Sequence, residues 1–486
     1  MKPLILFLLG FWALIPLESR ASKLSQETEA CLGCHATVLP GVYGDWLRSA
    51  HSRMSPMEGL QRPKEQRRVS ATEFPVNLEL VRVGCAECHI SRDRDRPDSF
   101  DHNGFRIHTV VSPRDCAVCH PLEAQQFQGN IMSRAHGNLM GNPLFSKLVG
   151  NAAGLYSISG ASMNPSEPDW LTLEDSCLSC HGTRVEFQGL VPRDTVMGEM
   201  ELPAFKGWPN QGVGRINPDG SKGSCSACHT RHAFSIAVAR KPHTCSQCHK
   251  GPDVPAYAVY QVSKHGNIYS SNSADWDFKA VPWRVGKDLQ APTCAACHVS
   301  MLADPEGQVL VERTHKMNDR LPWRLFGLIY AHRHPKDPDT TVIRNNSGLP
   351  LPTELTGESV SGFLIDDEEF TARINKMERV CSQCHHASWV HGHFRRLHQT
   401  IATTNSLTLA ATQLLLDAWK LGLASRENPF DEPIERRWVE QWLFFANSTR
   451  FASAMAGADY GVFANGRWNL SRNLLDMWEW LRDRRK

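Results

Sequence analysis

Net charge is nearly absent from this chain: 53 Lys and Arg stand against 51 Asp and Glu in 486 residues, a formal +2 with both signs spread throughout. That balance gives a phosphate backbone little to hold, so nucleic acid is excluded as an expected partner. Long apolar runs are lacking beyond the first twenty residues. The best segment, 438–457, is interrupted by Glu440, Asn447 and Arg450, and no permanent membrane span is expected from it. There is no regular repeat, no cysteine or histidine after His398, and no cysteine outside one recurring motif.

The N-terminus does hold an apolar run. Met1-Lys2 precedes apolar residues 3–17, and Ser19-Arg20-Ala21 offers small residues at the cleavage-determining positions. This reads as a secretory signal peptide over residues 1–21; Gly10 and Pro16 break a run already too short to span a bilayer. The mature chain is expected in the periplasm or an equivalent extracytoplasmic compartment.

An exported chain with sixteen cysteines would ordinarily form disulfides. Here they stand as Cys31/Cys34, Cys85/Cys88, Cys116/Cys119, Cys177/Cys180, Cys225/Cys228, Cys245/Cys248, Cys294/Cys297 and Cys381/Cys384. After each pair comes a histidine: His35, His89, His120, His181, His229, His249, His298 and His385. Two thiols three positions apart can add to the two vinyl groups of one haem, and the adjacent imidazole then serves as proximal ligand of the iron. A disulfide scaffold needs no histidine each time, and a zinc ribbon pairs its cysteines without one. Eight covalently bound haem c groups are therefore expected. Fourteen further histidines are available as distal ligands. Iron held by two histidines suits electron transfer, whereas iron lacking a distal ligand can bind substrate.

The motifs begin 54, 31, 61, 48, 20, 49 and 87 residues apart, too irregular for a solenoid. The expected architecture is mainly α: one octahaem-binding body over 22–400 with a haem-packed core, then a long-helix bundle over 401–486 that mediates oligomerisation. Residues 210–223, rich in Gly, Asn and Pro, predict a loop. Leu407, Ala411, Leu414, Leu415, Ala418 and Leu421 make a stripe predicting a helix over 406–424. A second helix should start near Asp431 with Pro433 in its first turn and carry Trp438, Trp442, Phe445 and Thr449 on one face; a third covers 474–480. Internal packing explains these stripes better than an external partner does.

Several strings then resemble the hydroxylamine oxidoreductase family of octahaem cytochromes. They include Gly223-Ser-Cys-Ser-Ala-Cys-His-Thr-Arg-His-Ala-Phe-Ser235, Cys245-Ser-Gln-Cys-His-Lys-Gly-Pro-Asp253, Val262-Ser-Lys-His-Gly266, His108-Thr-Val-Val-Ser-Pro-Arg-Asp-Cys116, Arg313-Thr-His315 and Ala458-Asp-Tyr460. The resemblance covers most of the mature chain. It implies a largely α-helical protein, often a homotrimer, with seven bis-histidine haems and an open haem on the fourth motif, above His181. There a small nitrogen compound (hydroxylamine, nitrite or a relative) would be converted, with electrons passed to or from a cytochrome or a quinone-linked protein. The implied distal ligands are His51, His108, His232, His265 and His315, joined by His102 and His136. The implied catalytic residues are Asp253, Tyr330, His332 and Tyr460, with His334 beside them.

One departure stands out. The family pattern after the sixth motif is Gly-x-Asp-His, but this chain reads Gly251-Pro-Asp253-Val254. Valine cannot shuttle a proton, which favours a competing reading: a non-catalytic electron-relay subunit of a larger complex. Reduction of a sulfur oxyanion is disfavoured, since related cytochromes of that kind use a proximal lysine and all eight motifs here end in histidine.

Overall fold

A computed structural model describes residues 22–485 apart from 94, 161 and 211. The signal peptide expected over 1–21 lies outside the described residues. Helix accounts for 48% of the chain and strand for 12%, so the fold is mainly α. Among the described residues no helix is long and apolar enough to cross a membrane.

Through the first two thirds the helices are short and built around the motifs. Cys85–His89, Cys177–His181 and Cys294–His298 are each a single turn that begins on a cysteine and ends on the histidine. Residues three and four apart share one face of a helix. One turn therefore sends both thiols and the imidazole to the same side. The first motif lies within the helix Gln26–Val38, and Cys381 closes the helix Asp367–Cys381. Glu87 ties the first two motifs together, accepting from Ser25 Oγ at 2.5 Å, Thr28 Oγ1 at 2.8 Å and the Gly84 amide at 2.7 Å. That close approach requires glycine at 84, where a Cβ would stand 2.4 Å from Thr28 Cγ2.

Strands are confined to small sheets of two or three. The longest is the antiparallel hairpin of Glu186–Thr195 with Gly198–Lys206, directly after the fourth motif. Residues 210–223 form turns with isolated bridges at Ile216, as composition predicts, wrapped over the buried Arg215.

The C-terminal helices are longer than their stripes predict. The first spans Ala387–Lys420, because Val390, Phe394, Leu397 and Ile401 continue the buried stripe toward the N-terminus and the His386 side chain caps it. It runs unbroken through residue 400, where the sequence reading divides the chain. The second, Pro433–Val439, continues through a wider π turn, Glu440–Phe445, into Ala446–Met455. The third is Arg467–Arg484. Ala411, Leu415, Ala418, Trp438, Trp442, Met477 and Leu481 are buried together, and Leu328, Ile329, Tyr330 and Leu351 from the preceding body join them. The stripes thus pack internally, although Leu421, Trp468, Leu475 and Trp478 remain exposed.

Glu435 sits inside this bundle with no exposed surface. It accepts from Trp419 Nε1 at 2.7 Å and from the amides of Asp431 and Glu432 at 3.2 and 3.1 Å. Burial, with Glu432 beside it, pushes its carboxyl up to about 8. The folded chain then keeps Glu435 protonated where the unfolded chain ionises it, so stability falls as pH rises from about 4.5 to about 8. Glu435→Gln should remove this slope, seen as a flatter profile of melting temperature against pH.

Candidate functional site

A cavity of about 2030 Å³ runs through the body, lined by cysteines or histidines of six of the eight motifs. Close-packed interiors leave few voids larger than a water molecule, and single small-molecule pockets reach about 1,000 Å³. This space fits several large groups rather than one.

Cys34, Cys248 and Cys384 are exposed, whereas the other thirteen are partly buried. Cys248 and Cys384 still line the cavity, but Cys34 lies outside it. The physical reason is where the first motif sits. Its helix, Gln26–Val38, has Thr28 as its one buried residue and is held on one side, through Ser25 and Thr28 to Glu87, so Cys34 is left toward solvent. Attachment at Cys34 needs a thiol within reach of the vinyl group rather than a buried one, and the turn that aligns it with Cys31 and His35 is formed.

The histidines test which groups the motifs could hold. A metal about 2.0 Å from the nitrogens of two opposed imidazoles puts the ring centres roughly 6 Å apart. His35 and His102 stand at 6.1 Å, His120 and His51 at 6.3 Å, His229 and His315 at 6.3 Å, and His385 and His265 at 6.0 Å. His89 has two such neighbours, His108 at 6.1 Å and His232 at 6.5 Å. The His108 ring is held on its Nδ1 side by Ser91 Oγ at 3.0 Å, while its buried Nε2, 3.5 Å from Asp115 Oδ2, has no hydrogen-bond partner among the described residues. Burial alone would raise the Asp115 carboxyl, but the nearby His108 ring, the Ser112 amide and Arg96 outweigh it and hold it at about 2. The His232 ring makes no hydrogen bond among the described residues and stays available.

Metal-bound imidazoles commonly donate their second nitrogen to a carbonyl, which fixes the tautomer and aims the first at the metal. Here His89 Nδ1 donates to His108 O at 2.9 Å and His181 Nδ1 to Ala135 O at 3.2 Å. His136 Nδ1 returns the favour to Gly182 O at 2.6 Å, which fixes it beside His181. Burial pushes the thiols of Cys88, Cys228 and Cys297 up to about 12. Among the described residues the convergent group with metal-ligand spacing is Asp431, Glu432 and Glu435, remote in sequence from any motif. The residues present therefore fit covalently attached haem.

Contacts between cysteines order the motifs in space. Cys31 acts on Cys85, Cys119 on Cys88, Cys245 on Cys228 and Cys381 on Cys297, while the thiol pairs Cys116/Cys225 and Cys245/Cys294 lie within hydrogen-bond reach. The motifs thus run first, second, third, fifth, sixth, seventh, eighth. The fourth attaches sideways to the sixth, through Cys180 and Cys248.

The fourth motif has different surroundings. No second imidazole stands about 6 Å from His181, His249 or His298 among the described residues. Asp253 is close enough to act electrostatically on Cys177, Cys180, His181 and His249, although burial is the larger influence on both histidines and lowers them. The Asp253 carbonyl accepts from Asn447 Nδ2 at 2.9 Å, and Val254 is buried in the cavity wall. Arg324 also acts on His181. His332 lies in strand register opposite Arg324, its Nδ1 bonded to Arg333 O and its Nε2 buried without a partner. Burial, then Arg324, drives the His332 imidazole down to about 3, so it is neutral at physiological pH. His334 is equally buried, lines the cavity and leaves Nδ1 unpartnered.

Two expected catalytic residues are placed elsewhere. The Tyr330 hydroxyl donates to Leu355 O at 2.8 Å and meets Thr412 Oγ1 at 3.2 Å inside the C-terminal core. Burial pushes its phenol up to about 12, and its role is packing rather than proton handling. Tyr460, half-buried on the short helix Ala458–Val462, makes no contact with Cys177, Cys180 or His181 among the described residues. Conversely, Arg324, Asn447 and Arg450 were not singled out for the site by sequence. The signal was present for two of them: Asn447 and Arg450 are the polar interruptions of the apolar segment 438–457, and both are fully buried.

The comparisons with known proteins agree with this geometry. The family described as "Seven times multi-haem cytochrome CxxCH" matches residues 216–320. A solved structure described as a hypothetical multiheme protein is 40% identical, with a TM-score of 0.88, covering 95% of this chain and 96% of its own. A probable nitrite reductase-hydroxylamine oxidoreductase fusion protein of Kuenenia stuttgartiensis is 27% identical over 316 residues, 59% of this chain but only 27% of that relative's length. The reducing HAO-like protein complex of the same organism shares the fold, with a TM-score of 0.63 at 19% identity over 94% of this chain and 85% of that one.

Asn447 bonds Asp253 O and Arg450 in a fully buried position. Asn447→Ala should cost about 1–3 kcal/mol, the usual penalty for leaving buried partners unsatisfied. Hydrogen exchange should quicken first in residues 251–256.

Proposed function

Because the chain belongs to the multihaem c-type cytochromes, we propose that it is an octahaem oxidoreductase that converts a small nitrogen compound, hydroxylamine, nitrite or a relative, at the fourth motif. The observation that carries this reading is that His181, which like His249 and His298 has no second imidazole about 6 Å away among the described residues, feels both the Asp253 carboxylate and the Arg324 guanidinium, whereas the five other motif histidines face a second imidazole. Haem bound there supplies electrons and one accessible coordination position.

The chain's own residues divide the remaining work. Each Cys pair holds one haem, and each motif histidine is its proximal ligand. His102, His51, His232, His315 and His265, each about 6 Å from His35, His120, His89, His229 and His385 respectively, would be the second histidines holding those haem irons. His108 also orients His89 through its carbonyl, and with Nε2 unpartnered its ring is the alternative to His232 as the second ligand there. His136 supplies a further distal imidazole, oriented by Gly182. His334 lines the cavity with Nδ1 unpartnered and lies near Arg324. Asp253 holds and releases protons at the substrate. His332, neutral, accepts a hydrogen bond without carrying charge. The other haems lead electrons to a cytochrome or quinone-linked partner outside the cytoplasm, and the exposed C-terminal apolar residues suit a homotrimer.

Val254 favours the relay reading, since no proton can pass through it. Mass spectrometry of the mature chain should find eight haem masses. One intact cystine would break the assignment. Paramagnetic resonance of the oxidised protein should show one high-spin or open haem whose signal changes with hydroxylamine or nitrite. Asp253→Asn should leave that binding largely intact while slowing turnover by roughly 10²–10⁴. A spectrum that is low-spin throughout and indifferent to both ligands leaves the relay standing.

A further inference from the structure

Buried cations in this chain are usually accounted for. Arg96 is bonded to Asp98 and Asp115, and Arg373 to Glu369. Arg215 and Arg320 have no acid, but their N–H groups donate to backbone carbonyls, Arg215 also to Asn217. Arg324 differs. Its Nε donates to Phe326 O at 3.1 Å and its guanidinium carbon stands 5.2 Å from the Phe326 ring centre. No protein acceptor takes its terminal nitrogens among the described residues, and the side chain lines the cavity.

A second buried cation stands on the helix Ala446–Met455. Arg450, with no exposed surface, donates to Leu325 O at 3.2 Å, Asn447 Oδ1 at 3.2 Å, Asn405 Oδ1 at 2.7 Å and Thr404 Oγ1 at 2.9 Å, all neutral acceptors. No carboxylate acts on either guanidinium. Burial alone lowers them, to about 10 and about 9, so both stay charged near neutral pH. Arg450 has its donors committed to neutral acceptors, whereas Arg324, charged and with its planar fork unmet in the cavity wall, offers a place for an anion.

We propose that Arg324 is the receptor for a small oxyanion, one negative charge shared over two oxygens, bound by the fork of its terminal nitrogens beside the fourth motif. This deepens the proposed function by naming the substrate class of that site as anionic. The same chemistry has two sources, nitrite or the carboxylate of a haem propionate. A planar fork matches either one bidentately. His332 and His334, both neutral, border the site without competing for the anion.

The test compares the oxidised holoprotein with Arg324→Gln and Arg324→Lys, titrated with nitrite and with uncharged hydroxylamine by absorbance, and titrated potentiometrically without ligand. If nitrite is the occupant, Arg324→Gln weakens nitrite binding about 10- to 100-fold, leaves hydroxylamine binding intact, and Arg324→Lys recovers part of the loss. If a propionate is the occupant, nitrite affinity holds but one haem midpoint moves to lower potential in Arg324→Gln and returns toward the original in Arg324→Lys. Unchanged nitrite affinity and unchanged potentials in a fully haem-loaded Arg324→Gln protein overturn the proposal. A wild-type protein that binds neither ligand defeats the enzyme reading, and the potentiometric arm alone then decides Arg324.

Discussion

Two imidazoles can share one metal only if their ring centres are held roughly 6 Å apart, and here that spacing must be kept by segments distant in sequence. His229 and His315, or His385 and His265, come from opposite walls of the body. Side chains do not close the space between, so the interior is a continuous cavity rather than a packed core. The remaining structure serves to hold those walls at that distance: single-turn helices present each motif, carbonyls fix the ring tautomers, and Glu87 or Asp115 tie neighbouring segments. Folding and haem attachment are one problem for such a chain, because its largest apolar contacts are with the groups it binds.

What could be read from sequence was what is local. A Cys-x-x-Cys-His turn carries its chemistry within five residues, and an amphipathic stripe declares its helix within four turns. The stripes understated helix length, because His391, His393 and His398 disguise the turns through which Val390, Phe394, Leu397 and Ile401 continue the buried face. Distal pairing was invisible, since each pair is a tertiary distance. So was the exposure of Cys34, because eight identical motifs give no sign of which one ends the row. That His108 and His232 both approach His89 was hidden too, since each spacing is a tertiary distance. Tyr330 misled because a tyrosine near a motif reads equally as acid or as packing, and only Leu355 O and Thr412 decide.

Arginine gives the least warning of all. It is mostly a surface residue, and nothing in the string Trp323-Arg324-Leu325 announces that its guanidinium lies in an interior with no acid to meet it. Asn447 and Arg450 announce themselves only negatively, by spoiling an apolar segment. Once folded they join the Asp253 loop, the 324–326 segment and, through Asn405, the strand bearing His332. The helix Ala446–Met455 is therefore more than bundle. It couples the C-terminal core to the walls of the fourth-motif site.

The layout of the motifs bears on the choice between enzyme and relay. Seven of them form one line, and a line is sufficient for moving electrons from one end to the other. The fourth stands off that line, joined through the sixth by Cys180 and Cys248. Electrons that enter a side branch have to leave the way they came unless something at its end accepts or supplies them. A relay gains nothing from such a branch, and still less from surrounding it with a carboxylate, two uncompensated cations and neutral imidazoles, each of which costs folding energy when buried. A site where charge and protons change hands needs all of them, and this weighs more heavily than the single valine at 254, which removes one proton donor from a wall that keeps Asp253.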